Sequence, residues 1–547
     1  MNLIQITVFF LYITSFYGLG NLIYQKGRYW EKFLTGMFFH GIYLFIILHF
    51  SIVNSITLFL PFITITGFFY KFIYKQKPEF LSDKKIFIFF IIIFIIPILT
   101  ALIPPFKYFD ELYYQLTIPN QWILNKGIYL FRYEWTTFFP AFGTLLYMPI
   151  IKFAGITSPQ LLTVFSLLLI STILFSVIKE NDPGKEYLTV LIFTLTPFIY
   201  ILSSFAYNGY IEMLFLFGGA VELFNYTKTK ENDKLLLAAL FIGAGGSTKY
   251  QGILLAAFIY FLAIILIKDR KKIFFSGVLA LIIISPWYIR NFIATGNPIW
   301  PFLNKFFGVE QTIKTDILAS SLTLTKTNRL FFILSKGFLW NFIKPYRGIQ
   351  SIAGPLYIAL IPWTLYEIKE KKILISLLII IISTPIIYIT DGNPRYFFIL
   401  FTLGAYLSVL GYYIWRKKFK IVKIIIIIVI LLQILISSKN IFYFFSYITS
   451  DSKSSFLSKQ ENSYELSEFT KLIPENERVL TVNIKKVLYL NRLSLIIFEK
   501  KIDDLIEKTD RISDDYKINW IVSKKDFYPE CKWQKIKETR HYILWKK

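Results

Sequence analysis

Apolar runs of about 18 or more residues recur along most of this 547-residue chain, separated by short basic segments. Each run matches the roughly 30 Å hydrocarbon core of a bilayer. A soluble fold cannot bury so many helices that are apolar all round. A membrane β-barrel is excluded as well, because its strands alternate polar and apolar residues. Spans are expected near 3–23, 34–50, 52–71, 86–103, 159–178, 187–205, 209–226, 235–248, 251–267, 273–289, 351–367, 373–389, 395–414 and 424–441. The first run lacks a basic leader and a small-residue cleavage site, so it reads as a span.

The net charge of +25 would suggest nucleic acid if it were spread over a surface. It is instead concentrated in loops. Lys26, Arg28 and Lys32 follow the first span, and Lys71, Lys75, Lys77, Lys84 and Lys85 the third. Lys179 and Lys185, then Lys228, Lys230 and Lys234, then Lys268, Arg270, Lys271 and Lys272 follow the fifth, seventh and ninth. Lys369, Lys371 and Lys372 follow the eleventh, and Arg416, Lys417, Lys418, Lys420 and Lys423 the thirteenth. The short loops after even spans are nearly free of Lys and Arg. By the positive-inside rule the basic loops are cytoplasmic, and nucleic-acid binding is a poor reading. The N-terminus, the loop 104–158, the loop 290–350, the loop 390–394 and the tail then share the outer face.

The expected fold is a polytopic α-helical membrane protein of about 14 spans. Interfacial helices occupy its first large outer loop, and a small C-terminal α/β domain lies outside. Residues 1–85 hold extra N-terminal spans, 86–447 the main membrane core and 448–547 the outer domain. In the tail, "RVLTVNI" (478–484), "INWIVS" (518–523) and "HYILW" (541–545) read as strands, with helical segments near 464–472 and 501–509. The single cysteine, Cys531, forms no internal disulfide. There is no Cys/His metal cluster, and His40 and His49, on one early span, read as structural.

The first outer loop, "TALIPPFKYFDELYYQLTIPNQWILNKG" (100–127), places Asp110 and Glu111 just beyond a span. A carboxylate at membrane depth costs roughly 2.5–3.5 kcal/mol on insertion scales. In one reading the pair caps or orients an interfacial helix. In the other, Asp110 is a general base that takes a proton from a nucleophilic hydroxyl. Three basic residues fall on the same face: Lys249 in "STKYQG", Arg290 in "SPWYIRNF" and Arg395 in "DGNPRYFF". Singly each reads as a snorkelling residue. Together they read as ligands for a phosphate carried on a lipid. Lys249 follows "GAGGS", whose glycines Gly243, Gly245 and Gly246, with Gly252 beyond, permit close backbone approach.

In order along the chain, several segments resemble the polytopic GT-C glycosyltransferases, in the bacterial branch of protein O-mannosyltransferases and aminoarabinose transferases. They are "FDELYYQLTIPNQWILNKG" (109–127), "FFPAFGTLLYMPIIKFAG" (138–155), "YNGYIEMLFLFGGAVELF" (207–224), "STKYQG" (247–252), "PWYIRNFIATGNPIWPFLN" (286–304), "GPLYIALIP" (354–362) and "RYFFILFTLGAYL" (395–407). The likeness covers roughly 86 to 440. Gln115 stands where members of this branch often carry His. The resemblance implies an inverting enzyme of the cytoplasmic membrane. It would move a sugar from a polyprenyl-phosphate carrier to an acceptor hydroxyl on a glycolipid, glycan or protein at the outer face. Asp110 would be its base, and Glu111 would orient the acceptor or a metal. Lys249, Arg290 and Arg395 would hold the departing phosphate. Tyr114, Gln115, Glu212, Tyr250 and Asn297 would line the substrate pocket. Metal dependence varies among such enzymes and stays open here. A transporter would show inverted repeats and mid-membrane acids. A polysaccharide ligase or polymerase would lack the early Asp-Glu loop with its outer domain.

Overall fold

The computed structural model describes the chain except for residues 66–82, 132, 310–353, 384–393, 420, 498–501 and 530–531. The described part is a helical bundle carrying one five-stranded sheet at its C-terminus. Five described helices are long and apolar enough to cross a membrane: Leu3–Ile23, Tyr29–His49, Lys84–Ala101, Ser158–Asn181 and Arg270–Thr295. The expected spans at 209–226 and 395–414 are also full-length helices, Gly209–Thr229 and Ile399–Lys418, and several others are shorter or broken. The run at 187–205 divides into Glu186–Thr194 and Pro197–Leu202, because Pro197 has no amide to continue the first helix and fits the first turn of the second. The run at 351–367 is helical over Leu356–Leu360 and tightens to 3-10 geometry over Ile361–Glu367. The run at 52–71 is helical over Ser55–Ile63, and its part from 66 on lies outside the described residues. The expected count of about 14 spans is therefore not reached by long helices among the described residues.

Local signals start these helices. Asn2 accepts from the Gln5 amide at 2.9 Å while the Gln5 side chain accepts from the Asn2 amide at 3.0 Å, a capping box. The first two helices then cross through glycine. A Cβ on Gly36 would sit 1.8 Å from the Phe16 carbonyl oxygen, and one on Gly20 1.7 Å from that of Lys32. Small residues let membrane helices approach this closely, and dispersion contacts hold them once there.

The basic loops gather at one end of the bundle. Arg28 pairs with Glu180 at 3.0 Å, Lys26 with Asp233 at 2.8 Å, Lys230 with Asp269 at 2.8 Å and Lys372 with Asp182 at 3.4 Å. Lys234 reaches the buried Glu31 at 2.8 Å and Glu222 at 3.5 Å, tying the second helix to the helix Gly209–Thr229. Loops of like charge at one end are what the linear alternation requires.

Residues 104–158 depart from expectation. They form short pieces, Thr117–Leu124, Phe142–Leu145 and Tyr147–Ala154, rather than helices lying on a surface. Leu145, Leu146, Tyr147, Met148 and Ile150 are fully buried. The N-terminal helices pack on this segment from one side and Ser158–Asn181 from another, so its apolar residues face protein rather than lipid.

In the tail, strands β1 (Arg478–Val482), β2 (Leu493–Ile497), β3 (Trp520–Lys524), β4 (Gln534–Glu538) and β5 (Tyr542–Lys546) run in the order β2-β1-β3-β5-β4. The β1 pairings are parallel; β5 is antiparallel to both neighbours. Alternate side chains feed two cores. One holds Leu480, Val482, Ile521 and Trp545 under the helix Ile502–Asp515; the other holds Val479, Trp520, Val522 and Leu544 against Phe469 and Ile473. Phe131, from the first large loop, belongs to the first core, so that loop is built into the tail domain. The sequence suggested β1, β3 and β5. It did not reveal β4, an exposed charged edge strand that reads "QKIKE", nor β2.

Candidate functional site

The turn after Lys84–Ala101 leads into a π-helical segment, Glu111–Gln115, with Asp110 at its head. Successive residues on a helical turn diverge by roughly 100°, and the two adjacent acids part accordingly. Asp110 points towards the helix-start segment Pro394–Tyr396, where its Oδ2 lies 2.5 Å from Arg395 Nη1. The same nitrogen donates to the Tyr108 hydroxyl at 2.9 Å, and Nη2 donates to the Tyr396 hydroxyl at 2.9 Å. Asp110 and Arg395 side chains each keep 16% of their exposure, so the pair is partly open.

Glu111 points the other way and is fully buried. Its Oε1 accepts from the Ala206 amide at 2.7 Å, and Gln115 Oε1 accepts from the Asn208 amide at 3.3 Å. Both side chains thus bind the turn that starts the helix Gly209–Thr229. Burial pushes the Glu111 carboxyl up to about 8, against the Ala206 amide and the Gln160 side chain, which favour the charged form. A group raised in the fold from its ordinary 4.5 leaves stability undiminished below that value, then erodes it as pH rises towards about 8. Melting temperature is therefore expected to fall across that window in the native protein, and Glu111→Gln is expected to flatten the fall. An unchanged pH profile in the variant would remove Glu111 as its source.

Lys249 is the extended residue between the helices Asn232–Gly246 and Tyr250–Leu266. It is 7% exposed. Its Nζ lies 3.8 Å from the centre of the Tyr207 ring and makes no hydrogen bond to the described residues. Its charged neighbours are Glu212, Arg395 and Asp110, so it belongs to the same cluster. The glycines do what close packing demands: a Cβ on Gly252 would meet the Gly245 carbonyl oxygen at 2.5 Å. Ser247 O accepts from the Phe142 amide at 3.0 Å, which pins the break to the first large loop. Glu212, one helical turn into Gly209–Thr229, is buried beside this break.

Arg290 is engaged elsewhere. Its Nη2 donates to the Phe138 carbonyl at 2.7 Å and the Phe139 carbonyl at 3.3 Å, and its guanidinium lies 4.8 Å from the Trp287 ring. Tyr250 donates to the Trp300 carbonyl at 2.7 Å and accepts from Asn291 at 2.9 Å. Asn297 donates to the Phe302 carbonyl and to Asn304 Oδ1, both at 2.7 Å. These three hold the connection 296–304 against the first large loop. Arg290→Ala is expected to cost about 1–3 kcal/mol of stability, because the Phe139 carbonyl loses its side-chain donor and the Phe138 carbonyl, which keeps Asn291, loses one of its donors. A melting temperature equal to that of the native protein would remove this structural role.

Tyr114 lies beside this cluster, with Asp110 and Arg395 among its charged neighbours and its ring 5.9 Å from that of Phe139. Three residues of the site went unread in the sequence: Tyr108, Tyr207 and Tyr396. Tyr108 and Tyr396 lie within two residues of Asp110 and Arg395, and the signal there was a tyrosine beside a charge; Tyr207 heads the segment 207–224 with no charged neighbour to mark it. His40 and His49 are structural. The first meets Thr64 Oγ1 at 3.1 Å and the second the Phe45 carbonyl at 2.8 Å. Among the described residues no group of three or more His, Cys, Asp and Glu side chains is arranged to hold a metal ion.

The architecture has solved counterparts. ArnT from Cupriavidus metallidurans bound to undecaprenyl phosphate superposes with a TM-score of 0.56 at 10% identity, over 84% of this chain and 97% of that one. The same protein in the apo state gives 0.51 at 10% identity, over 85% and 98%. An Archaeoglobus fulgidus oligosaccharyltransferase in complex with Zn and sulfate gives 0.47 at 14% identity, over 79% and 68%. The chain therefore shares the fold of ArnT, and five of its described helices are long and apolar enough to cross a membrane. No curated protein matches the sequence. The chain belongs to the family described as "Domain of unknown function (DUF8201)", whose model matches residues 1–402.

Proposed function

We propose that the protein is an inverting glycosyltransferase that takes a sugar from a polyprenyl-phosphate carrier and passes it to an acceptor hydroxyl at the outer face of the cytoplasmic membrane. The observation that carries this reading is the meeting of Asp110, Arg395 and Lys249, which come from three distant segments, at the end of the bundle opposite the basic loops. ArnT, whose fold this chain shares, was solved with undecaprenyl phosphate.

In the proposed reaction the acceptor oxygen attacks the anomeric carbon of the sugar. The bond from that carbon to the phosphate oxygen breaks, and its electron pair leaves on the lipid phosphate. Asp110 takes the acceptor's proton. Single displacement inverts the anomeric centre. Lys249 and Arg395 hold the phosphate as charge grows on it, a form of electrostatic stabilisation that exceeds neutral hydrogen bonding. An incoming phosphate that draws Arg395 towards itself would loosen the pair and free Asp110, so donor binding prepares the base.

Two further observations support a lipid donor. An apolar groove of about 190 Å³ runs between Tyr250–Leu266 and Arg270–Thr295, lined by Ile253, Ala256, Tyr260, Phe274 and Leu281. It begins one helical turn beyond Lys249, where an isoprenoid chain would continue from its phosphate. Lys249 also offers an ammonium whose described contact is the face of one aromatic ring. Release of undecaprenyl phosphate from a panel of undecaprenyl-phosphate sugars by the purified protein tests the reading. Hydrolysis and transfer both absent across the panel, with undecaprenyl phosphate itself unbound, would overturn it.

A further inference from the structure

We infer that Glu461, in the C-terminal domain, is a positioning residue that holds the turn carrying Asp110 in a left-handed backbone conformation. The inference rests on the reading of Asp110 as the base.

Lys107 has φ of +65°. A residue with a Cβ rarely adopts that region, and conformations of this kind persist where their surroundings fix them. The surroundings here come from 354 residues away in the chain: Glu461 Oε2 accepts from the Lys107 amide at 3.1 Å. That oxygen also accepts from Lys486 Nζ at 3.0 Å. Oε1 accepts from the Ser463 amide at 3.2 Å and the Ser463 hydroxyl at 2.7 Å. The Glu461 carboxylate is thus fully engaged and 5% exposed, a fixed point rather than a mobile surface acid. Around it the tail domain holds the same turn twice more. Tyr489 donates its hydroxyl proton to the Pro105 carbonyl, and the Phe106 ring packs 5.2 Å from Phe456.

The turn is tight. The Tyr108 amide donates to the Phe106 carbonyl at 2.6 Å, and the Leu112 amide donates to Tyr108 at 3.3 Å, so the next helical turn starts directly from it. Tyr108 and Asp110, one and three positions beyond the Lys107 amide that Glu461 holds, both contact Arg395. Rotation at Lys107 would therefore swing Asp110 off its partner with no intervening loop to absorb the change. A carboxylate misplaced by about 1 Å can cost a factor of about 10² in rate.

The experiment uses the full chain in nanodiscs, with undecaprenyl phosphate as the binding probe and an undecaprenyl-phosphate sugar as donor. Glu461→Ala is expected to lower turnover about tenfold with the undecaprenyl phosphate Kd unchanged, and to speed hydrogen exchange at the amides of Lys107 and its neighbours. Glycine adopts positive φ without strain, so Lys107→Gly in the Glu461→Ala background should recover most of the turnover. Lys107→Ala, which loses the same contact to Tyr443 but keeps a Cβ, should not. Native turnover in Glu461→Ala, or equal behaviour of the Gly and Ala double variants, would overturn the inference. Should Glu461→Ala fail to fold, Glu461→Gln takes its place, with a smaller loss and the same pattern of recovery expected. If the native protein transfers no sugar, the reading of Asp110 fails, while the exchange rates still decide whether Glu461 holds the turn.

Discussion

Asp110→Asn is expected to lower sugar transfer by about 10²–10⁴, the usual contribution of a positioned general base, without loss of expression in the membrane. The side chain keeps its shape and still accepts a hydrogen bond from Arg395, so the turn should hold. What disappears is the capacity to take a proton. Because the native pair is ionic and partly open, the variant should also bind undecaprenyl phosphate at least as well as the native protein: the guanidinium, 2.5 Å from Asp110, no longer has an anion competing for it. A variant with low turnover and undiminished phosphate binding would separate the base from the phosphate ligands. Full turnover in Asp110→Asn would remove the base assignment.

The second large effect is expected at Lys249. Its ammonium is buried and lies against the Tyr207 ring. A cation in that position gains only part of what it lost on leaving water. A phosphate oxygen would supply a charge-assisted bond of about 1.5–3 kcal/mol. Lys249→Ala should accordingly weaken undecaprenyl phosphate binding roughly tenfold to a hundredfold, by the 1.4 kcal/mol that each factor of ten requires. Turnover at saturating donor should fall less than in Asp110→Asn. Lys249→Arg should recover part of the affinity, since charge is kept while the planar head meets Tyr207 differently. Unchanged affinity in Lys249→Ala would leave Arg395 alone as the phosphate ligand.

Both variants probe one site assembled from remote parts of the chain. Asp110 and Arg395 are 285 residues apart in sequence. In the proposed mechanism their apposition would let Arg395 serve the base before the donor arrives and the phosphate afterwards. The surrounding tyrosines, Tyr108, Tyr207 and Tyr396, suit this exchange. Their hydroxyls and ring faces contact the Arg395 guanidinium and the Lys249 ammonium without adding a carboxylate's charge.

Run length and the linear order of charge made the membrane class and the two ends of the bundle legible, because both act locally. An 18-residue apolar stretch needs hydrocarbon or protein around it whatever it packs against. A Lys-rich loop resists translocation wherever its neighbours go. The strands β1, β3 and β5 were legible for the same reason: each is a short apolar run next to turn residues. The exposed strand β4 was not, since its residues carry no apolar face and its pairing with β5 alone makes it a strand.

Which of two neighbouring acids meets the cation was decided only by the tertiary structure. Asp110 and Glu111 are chemically alike and adjacent, and helical geometry sends them to opposite sides of one turn. The Ala206 amide claims Glu111 for the interior, and Arg395 meets Asp110 at the opening. The basic set was sorted in the same way. Arg290 was captured by the carbonyls of 138 and 139, whereas Lys249 was left facing a ring. The first large loop likewise became interior because the N-terminal helices and the tail domain cover it. Each outcome depends on which distant group reaches a side chain first, and burial makes that contact decisive by excluding water as a competing partner.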